Sequence, residues 1–186
     1  MDTGYPPVPH LVAKAEELAR LGGFTSSCGR RTGSLLSTLA AATSGRILEL
    51  GSGCGVGSAW LASGMRGGSR LTTIELDRDR HEAVASLFAG LDDVVALHGD
   101  RRRALEGGPF DLACVDVGEA KDAGSDRVIS SMSVGGVILL DDFTPGPLFR
   151  GEFDERWHRW MRDPRLVSCE LVLEPDTAAI VATRVG

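Results

Sequence analysis

Tyrosine is almost missing from this chain of 186 residues, with Tyr5 as its single instance. A short-chain dehydrogenase needs a catalytic tyrosine near a lysine, and Tyr5 is the sole tyrosine on offer. Basic charge is also short. Lys and Arg total 20 against 26 Asp and Glu, for a net charge of -6. Nucleic-acid binding rests on neutralising phosphates, so an acidic chain is a poor candidate for it. The longest basic run, Arg101-Arg102-Arg103, reads as a solvated helix face. The four cysteines, Cys28, Cys54, Cys114 and Cys169, form no CxxC and no metal-ligand spacing. No stretch approaches the roughly 20 apolar residues of a membrane span. The opening MDTGYPPVPH has neither the basic start nor the apolar core of a secretion signal. The expectation is a cytoplasmic protein with reduced thiols and no membrane or nucleic-acid partner.

What remains is ordinary for a folded domain: 42% hydrophobic and 25% charged residues. The length suits one domain of roughly 150 residues with a small appendage. Leu11, Ala15 and Leu18 fall on one helical face, which Gly22-Gly23 ends. Residues 24–33 read as a loop, and 34–42 as a second helix. Apolar runs at 46–50, 70–75, 94–98, 110–117 and 136–141 then alternate with helical segments. Several lack period two, as strands covered on both faces do. Asp77 is a plausible N-cap for a helix over 78–89. This alternation predicts a parallel α/β sheet. Near the end, Phe153, Trp157, Trp160 and Met161 mark another helix face. The runs 166–173 and 178–185 are joined by too short a turn for a parallel crossover, so they predict an antiparallel hairpin. Seven strands are expected in all.

The sharpest local signal is Ile47-Leu-Glu-Leu-Gly51-Ser-Gly53-Cys-Gly55-Val-Gly57. A strand enters a glycine-rich turn that opens a helix, at the sheet edge where ligands of α/β folds sit. Glu75 ends the next strand, 24 residues after Gly51. An acidic group there can accept both ribose hydroxyls of an adenosine ligand. The dinucleotide fingerprint is G-x-G-x-x-G, and the spacing here, G-x-G-x-G-x-G, fits it poorly. A nicotinamide-dependent oxidoreductase is therefore the weaker alternative. A noncatalytic module that kept the nucleoside pocket is another.

Glu49-Leu-Gly51-Ser-Gly53-Cys-Gly55 resembles motif I of the class I S-adenosylmethionine (SAM) methyltransferases, and Thr73-Ile-Glu75-Leu resembles motif II. Gly99-Asp100 resembles the segment beside adenine, Phe110-Asp-Leu-Ala-Cys-Val-Asp116 motif IV, and Gly135-Gly-Val-Ile-Leu-Leu-Asp-Asp142 the fifth-strand motif. The resemblance spans roughly residues 25 to 185. It is strongest to small bacterial O-methyltransferases of the catechol and caffeoyl-CoA type, for which Leu-Leu-Asp141-Asp142-Phe is the most specific clue.

That resemblance implies a Rossmann-like, mostly parallel seven-stranded sheet with helices on both faces and a C-terminal antiparallel hairpin. Residues 1–44 would cap the cofactor and substrate, and 45–186 would form the catalytic domain. The implied activity is methyl transfer from SAM to a small-molecule acceptor, most simply at a hydroxyl oxygen. Gly51, Gly53, Gly55 and Gly57 would line the methionine end, where Glu49 and Ser52 hold its ammonium and carboxylate. Glu75 would take the ribose, and Leu76 would pack on adenine. Gly99, Asp100 and Arg101 would follow the ring, with Asp100 also suited to cap the next helix. Asp116 and Val117 would lie beneath the methionine end, and Ser27 and Gly29 would belong to a closing loop.

The same resemblance implies a divalent cation such as Mg²⁺ or Ca²⁺ on Asp116, Asp141 and Asp142, which would orient a substrate oxygen. The family's general-base lysine position is Glu119 here, leaving Lys121 and Asp116 as candidate catalytic groups. His158 and His98 are weaker candidates, on a polar helix face and near adenine respectively. The acceptor pocket is expected from the N-terminal helix and loop, residues 117–125, and the segment after strand five, with Phe143 and Phe149 as its cover. A homodimer is compatible with this reading.

Overall fold

The computed structural model describes residues 7–145 and 153–186. Two helices lead, α1 (His10–Leu21) and α2 (Arg30–Ala42). The alternating body follows: β1 (Arg46–Leu50), α3 (Val56–Gly64), β2 (Arg70–Glu75), α4 (Arg78–Leu87), β3 (Val94–His98), α5 (Arg101–Leu105) and β4 (Phe110–Val115). Short helices α6 (Gly118–Lys121) and α7 (Ser125–Ser130) lead into β5 (Met132–Phe143). The chain ends with α8 (Glu155–Arg162), β6 (Leu166–Glu174) and β7 (Thr177–Arg184).

The seven strands lie in the order β3-β2-β1-β4-β5-β7-β6. The first five are parallel, while β7 pairs antiparallel with both β5 and β6. Strand order reverses between β1 and β4, opening a crevice at their carboxyl ends. The seven strands, the parallel body and the terminal hairpin all agree with the sequence expectation.

Two cores result because side chains alternate across each strand. On one face Leu48, Leu50, Ala113 and Val115 pack with Trp157 and Trp160 of α8 and with Val128 and Ile129 of α7. On the other, Ile47, Leu71, Leu112 and Leu139 pack with α1 to α4 through Val12, Leu36, Trp60 and Val84. The N-terminal helices thus share a core with the sheet. The buried stripe of α1 is Val12, Ala15 and Ala19, with Leu11 and Leu18 on its flanks.

Capping chemistry sets several boundaries. Asp77 accepts from the Arg80 amide at 3.0 Å, and Asp154 accepts from the Trp157 amide at 3.0 Å. Helix α2 begins four residues before its expected start, so the loop is shorter than the glycines suggested. Gly33 lies inside that helix because a Cβ there would stand 2.2 Å from Trp60 Nε1. Strand β5 begins at Met132, earlier than expected, and shifts register against β4 between Phe110 and Leu112. Phe153 precedes α8 and is exposed, stacking on His158 instead of entering the core. No described helix is long and apolar enough to cross a membrane, and all four cysteines are free.

Candidate cofactor and active site

The crevice holds a cavity of about 400 Å³ above the carboxyl ends of β1, β2 and β4. Its wall begins where β1 ends. Amides of Gly51 and Ser52 both donate to the Ile74 carbonyl, at 3.0 and 3.2 Å, which fastens the glycine turn to β2. Gly51 (φ +94°) is the close-approach position: a Cβ there would lie 2.8 Å from Val117 Cγ2 and 3.0 Å from the Asp116 carbonyl. Gly53 (φ +52°) leaves room for the Phe24 ring, 2.8 Å from where its Cβ would be. The turn delivers an α3 N-terminus whose cap, Gly55, supplies no side-chain hydrogen bond. Such an end presents free N–H donors to an anion.

Two acidic side chains frame the cavity. Glu75 Oε2 accepts from the Gly53 amide at 2.9 Å. Its Oε1 accepts from the Leu76 and Asp77 amides, each at 3.0 Å, and from Arg80 at 3.1 Å. Backbone donors therefore fix this carboxylate rigidly at the strand tip. Glu49 is buried on the α3 side, accepting from Ser58 and from Thr73 Oγ1. Burial pushes its carboxyl up to about 7, against the lowering effect of the Ser58 and Thr73 bonds. Its Oε1 reaches the underside of Gly57, where a Cβ would come within 2.5 Å. A buried carboxyl held by neutral hydroxyl donors is a receptor for a ligand ammonium.

Among the residues expected at the nucleoside site, Glu49, Gly51, Ser52, Gly53, Gly57, Glu75, Leu76, Gly99, Asp100, Arg101, Asp116 and Val117 all line this cavity. Gly55 does not. Its position beneath Leu87 and Val84 makes it the turn's packing point and not a wall. The Ser52 hydroxyl is spent on Thr73 Oγ1. Asp100 caps α5 through the Arg102 amide at 2.8 Å and is also bound by the Arg102 guanidinium at 2.9 Å. Those bonds hold its carboxyl down to about 2.

Sequence reasoning missed Arg80 and Phe24, which also line the cavity. Arg80 lies 5.4 Å from the Phe24 ring centroid and braces Glu75. Its place one helical turn into α4 was the available signal. Ser27 of the N-terminal loop lines the wall with a buried hydroxyl that has no partner among the described residues.

A second cavity of about 340 Å³ shares Ser27, Cys28, Asp116, Asp141 and Asp142 with the first. Arg31, Thr32, Glu174 and Thr177 complete it. The β6–β7 turn therefore contributes to this wall, which no local sequence signal announced. Phe143, expected as a cover, is 3% exposed and belongs to the core against Ala178. Its side chain points inward because β5 extends to include it. Phe149 and Arg150 lie outside the described residues. His98 Nε2 sits 3.1 Å from the Leu76 carbonyl, and His158 stacks between Phe153 and Trp157. Neither lines a described cavity.

The carboxylates at the β4 and β5 tips differ from expectation. Asp116 borders both cavities, and desolvation pushes its carboxyl up to about 6, with Asp142 and Asp141 adding to the rise against the pull of Lys121. Desolvation also raises Asp141. Lys121 is 3% exposed and lines neither cavity. Its Nζ donates to the Asp141 carbonyl at 2.6 Å and lies 3.4 Å from Asp116 Oδ1. Its ammonium therefore meets the cavities only through Asp116, where the sequence expected a base in the site itself. Among the described residues no three His, Cys, Asp or Glu side chains are grouped to hold a metal ion. The expected set of Asp116, Asp141 and Asp142 is not assembled as ligands, since Lys121 draws on Asp116 and Asp142 is exposed with φ 59°.

Comparison with known proteins places this geometry. A solved O-methyltransferase of Bacillus cereus in complex with SAH matches with a TM-score of 0.82 and 18% identity, over 98% of this chain and 94% of that one. An O-methyltransferase of Streptomyces achromogenes involved in tomaymycin synthesis, solved with SAM, matches with a TM-score of 0.82 and 21% identity, over 100% and 94%. These likenesses establish the fold. A Mycolicibacterium smegmatis protein named among the O-methyltransferases is 48% identical over 79 residues, which is 40% of this chain and 35% of that protein. The aligned stretch thus spans about a third of that relative. The model of the methyltransferase domain family matches residues 48–143, just over half of the sequence, from within β1 to the end of β5. The chain belongs to the methyltransferase domain family.

Proposed function

We propose that this chain is a SAM-dependent methyltransferase that methylates a small-molecule acceptor, at a hydroxyl oxygen. One observation carries the reading: a single cavity joins the Glu49 carboxyl, the uncapped α3 N-terminus and the Glu75 carboxylate in the order of an amino-acid end and a nucleoside. The residues present fit that cofactor. The missing side chains at Gly53 and Gly57 let the Phe24 ring and the Glu49 carboxyl close onto the cavity wall, and the Ser27 hydroxyl lacks a protein partner among the described residues.

When bound, SAM supplies a methyl group already activated as a sulfonium, so the protein is left with binding and orientation. Glu49 would take the ammonium, and the α3 N-terminus with Ser27 would take the carboxylate. Glu75 would take the ribose hydroxyls on Oε2, which carries the Gly53 amide alone where Oε1 carries three donors. Leu76, 72% exposed, would gain an apolar partner in the base. Asp116 borders both cavities and is placed to accept the acceptor's proton, its raised carboxyl lying nearer neutrality than a free one. The second cavity would orient the acceptor and exclude water.

Calorimetry with SAM and with NADH tests the cofactor, and labelled-methyl transfer over panels of phenols, acids and amines tests the reaction. Binding of SAM alone, with label appearing on a hydroxyl compound, is the expected result. Absence of heat with SAM would overturn the proposal.

A further inference from the structure

Lysine is scarce here, with only Lys14 and Lys121 in the chain. One of the two is buried under the strand tips, and its burial is built in from several directions. The Lys121 carbonyl accepts from Trp160 Nε1 at 2.8 Å, and Trp160 is fully buried. The next residue, Asp122, forms a two-pronged pair with Arg156 of α8 at 2.6 and 2.9 Å. Ala120 before it is fully buried. Helix α6 therefore cannot swing the ammonium into solvent without breaking its anchors to α8. Removing an ammonium from water costs several kcal/mol unless a charge and hydrogen bonds compensate. The compensation is Asp116 Oδ1 at 3.4 Å and the Asp141 carbonyl at 2.6 Å.

We propose that the Lys121 ammonium takes the place of a divalent cation in this protein: lodged between Asp116 and the Asp141 backbone, it supplies the positive charge at the β4 and β5 tips, and methyl transfer proceeds without metal. This rests on the methyltransferase reading above. The three carboxylates Asp116, Asp141 and Asp142 would otherwise concentrate negative charge at adjacent strand ends. A hard cation needs several of those oxygens together. Lys121 engages one of the carboxylates from below, and its charge opposes a second cation close by. Lys121 touches Asp116 and not the acceptor, so it is a positioning residue. Its effect on the reaction passes through where Asp116 is held and how much charge faces the second cavity.

The test is titration of Mn²⁺ into the full chain without SAM, by calorimetry and electron paramagnetic resonance. The proteins are wild type, Lys121→Met, Lys121→Arg, and Lys121→Met combined with Asp141→Asn. Wild type and Lys121→Arg are expected to show no saturable binding at sub-millimolar Mn²⁺. Lys121→Met should bind at least about tenfold tighter than wild type, as loss of a nearby unit charge would give, and Asp141→Asn should remove the gain. Wild-type turnover should be unchanged by EDTA. Saturable Mn²⁺ binding by wild type, a folded Lys121→Met without the gain, or turnover that EDTA abolishes and Mg²⁺ restores would each overturn the inference. Should Lys121→Met fail to fold, the wild-type titration and the chelator test still decide. SAM calorimetry on the same samples separates this outcome from failure of the cofactor reading, because Mn²⁺ binding is read without SAM.

Discussion

On the β1–β3 side of the crevice, Glu75 is held by amides one, two and 22 residues away, in the turns after β1 and β2, and by Arg80 in the first turn of α4. On the β4–β5 side, Asp116 and Asp141 depend on Lys121, whose own position is set by Trp160 from 39 residues further along. The first arrangement is local, backbone-built and polar by design. The second is assembled from distant side chains around a buried cation. A site of the first kind can be read from a motif, whereas a site of the second kind depends on the finished fold.

The largest effect should come from Phe143→Ala, which tests whether that ring belongs to the core or to the acceptor cover. We expect a loss of about 3–5 kcal/mol of stability by urea unfolding, with SAM affinity of the folded fraction retained. Stability equal to wild type with altered acceptor kinetics would return the ring to the acceptor side.

Next, Glu75→Ala should weaken SAM binding about a hundredfold or more by calorimetry, since it removes a charged acceptor for the ribose hydroxyls. An affinity within threefold of wild type would break the contrast, because the local half would then not be the nucleoside half.

A third effect is a pH dependence. The Glu49 carboxyl is raised from 4.5 to about 7 by burial. Between those values the folded protein keeps a proton that the unfolded chain has released. The stability this group contributes is full below about pH 4.5 and is lost as pH rises through about 7. The slope is at most about 1.4 kcal/mol per pH unit for one proton. Comparing urea unfolding of wild type and Glu49→Gln from pH 4 to 8 should show this component disappear in the variant. Parallel curves would show that Glu49 does not titrate in this window.

The smallest effect belongs to Asp100→Asn. Its carboxylate is committed to Arg102 and to capping α5, and asparagine caps about as well. SAM affinity by calorimetry should stay within about threefold. A larger loss would show that this side chain reads the base.

The parts legible in the sequence were those decided by neighbours. The β1 strand, its glycine turn and Glu75 follow from alternation, from the need for positive φ at Gly51 and Gly53, and from a carboxylate at a strand end. The helix beginning at Arg30 was hidden because glycine at position 33 argues for a loop, until the Trp60 ring supplies a reason for it. Phe143 looked like a loop aromatic because nothing local shows that β5 continues through it to meet Ala178. The β6–β7 turn entered the wall of the second cavity through Glu174 and Thr177, a long-range juxtaposition that no spacing records. Lys121 shows the same limit: its number suggested a reagent, and only the packing of α6 against α8 turned it inward.

Residues 26–28 form part of the wall of both cavities. Under the proposed reading, cofactor and acceptor would lean on the same strip of chain. An acceptor seated against Ser27 and Cys28 would bar the way out for the spent nucleoside, so turnover would run as a queue, the nucleoside entering first and departing last. Product-inhibition patterns would display that order, with the spent nucleoside competing against SAM and the methylated acceptor not.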